Sequence, residues 1–70
     1  MDYEKYVKDL CSTAEGRLYL FALIATLEAD DDLKSLAYLR ACVLMAGETE
    51  ENNCISDKIQ DCIDKKITKE

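Results

Sequence analysis

The sequence predicts an all-α fold: a small helical bundle of three to four helices, built on a central antiparallel helix hairpin and completed by dimerisation. Three observations predict it. Proline is absent and glycine occurs only at 16 and 47, so little interrupts a helix over long stretches. No alternating β-branched run and no Asn-Gly or Asp-Gly pair marks a strand or hairpin. Apolar residues recur at spacings of three and four, the period of one helix face.

The first helix is expected at about 2–11. Tyr3, Tyr6, Val7, Leu10 and Cys11 share a face, while Lys5, Lys8 and Asp9 lie opposite. "STAE" at 12–15 has the Ser-x-x-Glu spacing of a capping box. A second helix is therefore expected at about 13–29, with Ser12 as cap and Gly16 as its weak spot. It could also continue the first helix as one bent rod.

Three aspartates, Asp30 to Asp32, follow. Aspartate caps helices well, and negative charge suits a helix N-terminus by about 0.3–1 kcal/mol. They are expected to cap a third helix over 32–46, which Gly47 ends as a C′ glycine. "ETEENN" reads as a polar connector. A fourth helix is expected over 54–68, with Ile55, Ile59, Cys62, Ile63 and Ile67 on one face and Lys65, Lys66 and Lys69 near its end. Short connectors make neighbouring helices antiparallel.

The two middle helices are apolar most of the way round. On the second, Ala14, Leu18, Phe21, Ala22, Ala25 and Ala29 make one stripe. Leu20, Leu23, Ile24 and Leu27 make another, roughly opposite. On the third, Leu33, Leu36, Ala37 and Leu44 form one face. Leu39, Cys42, Val43 and Ala46 form a second, flanked by Tyr38 and Met45. A helix apolar all round must be covered all round. Seventy residues supply little cover, since so short a chain buries only about 60% of its unfolded surface. A two-fold dimer, hairpin against hairpin, would bury the rest. Leu20, Leu23, Ile24, Leu27, Leu39 and Val43 are the expected interface residues.

Composition narrows the function. The formal charge is −6, and its excess over the near-balanced remainder sits in Glu48, Glu50 and Glu51. No basic patch is evident, which disfavours direct nucleic-acid binding and attraction to an anionic membrane. The longest apolar run, Leu18 to Ala25, is eight residues, far short of a membrane span. "MDYEKYVKDL" lacks the apolar core of a signal peptide, so a cytoplasmic location with reduced thiols is expected.

No cofactor, metal or catalytic residue is expected. Counted from Asp30, the sixth position is Ser35 and the twelfth Ala41, where a calcium-binding loop needs glycine and glutamate. Cys11, Cys42, Cys54 and Cys62 are separated by 31, 12 and 8 residues, with no Cys-x-x-Cys pair and no histidine. They read as small buried apolar residues, Cys11 being the thiol expected near a boundary and reactive. Cys54 and Cys62, on one helix, stand too far apart to bridge. Carboxylates such as Asp57 and Asp61 read as a solvated face.

Arg17 and Arg40 either snorkel, with packed stems and wet guanidinium groups, or contact a ligand or partner together with Tyr19 and Tyr38. The leading expectation is a non-enzymatic, self-associating module that binds a larger protein as an inhibitor, antitoxin or adaptor. In size, acidity and lack of catalytic equipment it resembles, in general character and without a shared motif, the small helical inhibitors and adaptors encoded by bacteriophages and mobile elements. An oligomeric binder of an anionic or nucleotide-like ligand is the alternative, and a DNA mimic stands behind both.

Overall fold

In the computed structural model, residues 2–68 are described, and they form helices throughout: α1 Tyr3–Cys11, α2 Ala14–Ala29, α3 Leu33–Met45 and α4 Glu50–Thr68. Among these residues there is no strand. Each boundary has a local cause. Asp2 caps α1 by accepting from the Lys5 amide. Thr13 caps α2, accepting from the Gly16 amide at 2.9 Å. The cap therefore lies one residue beyond the expected Ser12. Ser12 instead turns back and donates to the Asp9 carbonyl at the end of α1. The two helices are separate and meet at a corner.

Of the three aspartates, Asp32 is the N-cap of α3. Its carboxylate accepts from the Ser35 amide at 3.1 Å and from the Ser35 hydroxyl at 2.7 Å. Both contacts favour the charged form and hold its pKa below the ordinary aspartate value. Asp30 closes α2. Asp31 takes a left-handed conformation (φ 56°), one that aspartate tolerates better than most residues. Its carboxylate forms an ion pair with Lys66, which ties the end of α4 to the α2–α3 turn.

Gly47, at φ 135°, follows the α3 cap Ala46 in a backbone state that side chains rarely adopt. The fourth helix begins at Glu50 rather than near 54. Thr49 accepts from the Asn52 amide at 3.0 Å, and the buried Asn52 side chain donates to the Gly47 carbonyl at 3.0 Å. Glu50 and Glu51 thus lie in the first turn of α4, where the helix dipole favours them, and not in a free connector.

The most extensive helix pairing is α3 with α4, and α3 also packs on α1 and α2. The pairing of α2 with α3, on which the sequence reading centres the bundle, is the less extensive of the two. The core is Val7, Cys11, Leu20, Ile24, Leu36, Leu39, Cys42, Val43, Ile55, Ile59 and Cys62. It closes inside one chain. The Cα radius of gyration is 11.5 Å, against about 11 Å for a compact domain of this length.

Gly16 sits where α2 leaves the corner. A Cβ there would overlap the Leu10 carbonyl and lie 2.7 Å from the Leu10 Cα. Only glycine lets the two helices approach so closely.

Candidate interaction surfaces

The six apolar residues expected at a dimer face divide in two. Leu20, Ile24, Leu39 and Val43 are sealed in the core of the single chain, and Leu23 and Leu27 are half-buried against it. For the four sealed residues the assignment is corrected, because they are already covered within one chain. The stripe that Leu20 anchors is the inner one because α1, α3 and α4 all contact α2. The other stripe faces outward. Ala14, Leu18, Phe21, Ala22, Ala25 and Ala29 are all exposed, Leu18 at 70% and Phe21 at 40%. Leucine and phenylalanine left this open mark an association surface when they are contiguous.

This stripe borders the seam between α2 and α4. One open cleft of about 550 Å³ is lined by Ala14, Arg17, Leu18 and Phe21 of α2 and by Glu50, Glu51, Cys54 and Ile55 of α4. A second, of about 620 Å³, is lined by Ala25, Glu28 and Ala29 of α2 and by Lys65, Lys66 and Thr68 of α4. The N-terminal parts of α2 and α4 therefore share one cleft and their C-terminal parts the other. On the α4 side the first carries glutamates, the second lysines.

A different surface gathers all four tyrosines of the chain from three helices. Tyr3 of α1 stacks on Tyr38 of α3, ring centroids 5.1 Å apart and planes 20° from parallel. Tyr3 and Tyr6 are tilted against each other at 6.4 Å. Tyr6 has Tyr19 of α2 as its neighbour, whose hydroxyl is the main reason the Tyr6 pKa is raised. Burial, then neighbouring Cys42 and tyrosines, raises that of Tyr3. Burial also leads the rise at Tyr38, with Cys42 and the Glu4 and Asp2 carboxylates contributing. Tyr19 and Tyr38 are each 52% exposed. Tyr19 and Tyr38, expected as contact candidates, are thus linked through Tyr6 and Tyr3, which periodicity places on one face of α1. No local signal distinguishes a tyrosine turned to the core from one that lies along its edge.

The two arginines have different settings. Arg17 Nη1 donates to the Cys11 carbonyl at 2.9 Å and so caps the end of α1, a structural role. Arg40 is half-buried, and its Nε has no hydrogen-bond partner. Among the cysteines, burial raises the thiol pKa of Cys11, Cys42 and Cys62, which opposes reactivity. The accessible thiol is Cys54, in the α2–α4 cleft, rather than Cys11. Among the described residues, no three His, Cys, Asp or Glu side chains gather as a metal site, and no helix is long and apolar enough to cross a membrane.

In comparison with known proteins, the chain matches no family model, no curated protein and no solved structure.

Proposed function

We propose that the chain is a non-enzymatic protein-interaction module of the cell interior, one that self-associates and occupies a surface of a larger protein as an inhibitor, antitoxin or adaptor does. The observation that carries this reading is the outward apolar stripe of α2, with Leu18 and Phe21 open to solvent on a domain whose core is already closed. A chain with about 5 kcal/mol of net stability has little reason to keep such side chains wet unless they are covered in use. The tyrosine face supplies a second surface. Tyrosine is enriched among residues that dominate binding energy, because it buries a large rigid ring and keeps a polar tip.

A small-molecule binder would need Arg17 and Arg40 beside the tyrosines. Arg17 is engaged at the end of α1, and no observation favours that reading. A DNA mimic would need a dense acidic face, whereas Glu50 and Glu51 serve the first turn of α4.

The test is affinity capture with the purified chain from its native host. Wild type is expected to retain a protein that Tyr19→Ala/Tyr38→Ala loses, while thermal melting shows that the double variant is still cooperatively folded. Retention of nothing by the wild type, at concentrations where the chain is folded, overturns the partner-binding reading.

A further inference from the structure

We infer that the α2–α4 face is covered by a second copy of this chain, laid across it in the reverse direction about a two-fold axis near Phe21 and Ala22. The inference rests on the self-association reading above and specifies how the copies pair.

The argument is one of charge and symmetry. The face has an apolar middle, Leu18, Phe21, Ala22 and Ala25, between two unlike ends. On the α4 side one end carries Glu50 and Glu51, with Arg17 of α2 beside them. The other carries Lys65 and Lys66, with Glu28 of α2 beside them and Lys66 already paired with Asp31, so Glu51 and Lys65 are the charges on which the pairing turns. About fifteen residues of α4 separate them, roughly 22 Å at the helical rise. A two-fold axis set across the helices reverses this direction, so each acidic end meets the partner's basic end while the apolar middles meet each other. A parallel arrangement would set glutamate against glutamate and lysine against lysine. A foreign helix would need its own matching dipole of charge; a second copy carries it by construction.

Area leads to the same extent of surface. A stable interface takes about 800 Å² from each partner, about a sixth of the 4772 Å² this chain exposes. The α2 stripe alone is one helix wide, so the contact must include the shoulder of α4, where the charges lie.

The midpoint of the stripe from Ala14 to Ala29 falls at Phe21 and Ala22, which places their copies closest together. Ala14 and its copy stand roughly 22 Å apart along the pair. Cys54, exposed at the acidic end, lies away from the axis and is replaced by serine in the test. In that background, Ala22→Cys is expected to give a covalent dimer with a short bis-maleimide linker, and Ala14→Cys is not. By light scattering at tens of micromolar, the wild type is expected to have twice the chain mass. Glu51→Lys and Lys65→Glu should each weaken dimerisation by about tenfold, since symmetry repeats each change. The two together should restore it. Melting of each variant at dilution checks that the fold is intact.

A monomeric wild type overturns both this pairing and the self-association reading. A dimer in which Ala14→Cys links as readily as Ala22→Cys, or in which the double reversal restores nothing, overturns this pairing and leaves association through another face.

Discussion

Helices α2 and α4 lie side by side and teach different lessons. In α4, apolar residues keep largely to one side. Ile55, Ile59 and Cys62 are buried, while Asp57, Asp61 and Asp64 are exposed. Contrast between its faces makes the inward direction readable. In α2 the contrast is gone. Leu20 and Ile24 are sealed, while Leu18 and Phe21, equally apolar, face solvent. Hydrophobicity says that a residue can be buried, and only an arrangement of neighbours says which one is.

The sharpest way to break this comparison is at two leucines of α2 that stand two residues apart. Leu20→Ala is expected to cost about 3 kcal/mol, by loss of buried contacts and the cavity left behind. Leu18→Ala, measured by denaturation at dilution, should change stability by less than about 0.5 kcal/mol. On α4, Ile59→Ala should match Leu20→Ala, and Asp61→Ala should match Leu18→Ala. Equal losses at 18 and 20 would mean that the outer stripe is not outer.

Gly16 gives a test of sign. Helix propensity alone says that Gly16→Ala stabilises by about 1 kcal/mol. Overlap of the new Cβ with the Leu10 backbone says that it destabilises, by about 2 kcal/mol. Thermal unfolding decides between local preference and tertiary contact.

A smaller effect locates the helix start. Thr13→Ala should cost about 1 kcal/mol as a lost cap, and Ser12→Ala a few tenths. A reversed ranking would move the cap back to Ser12.

The smallest effect is a pH dependence. Ser35 holds the Asp32 pKa low in the fold, so the unfolded chain takes up that proton more readily. The stability contributed by Asp32 is therefore present above the unfolded value, about pH 4, and is lost as pH falls toward the lower folded value. Asp32→Asn should flatten this part of an acid titration of stability. An unchanged acid limb would remove the carboxylate from the cap.

Punctuation was legible wherever a residue type has one local use. The aspartate run, Gly47 and the amphipathic α4 are of this kind. The start of α4 was not legible, because Glu50, Glu51 and Asn52 read as linker until Thr49 and the Asn52–Gly47 contact are known. The same holds for the surfaces. Tyr19 and Tyr38 could be named as contact candidates. Their union with Tyr3 and Tyr6 depends on three helices meeting.

From the chain of residues alone came the helical class, most of the turns, the absence of a charge pattern suited to nucleic acid, and a surplus of apolar side chain in the middle. These depend on periodicity, capping chemistry and charge, which act over a few residues. Which side of α2 would become core, and that a single chain would close around Leu20 and Ile24, was settled only by the packing of α1, α3 and α4. The reason is physical: burial belongs to a residue together with its distant neighbours, and in a helix greasy all round the local pattern is the same for either choice.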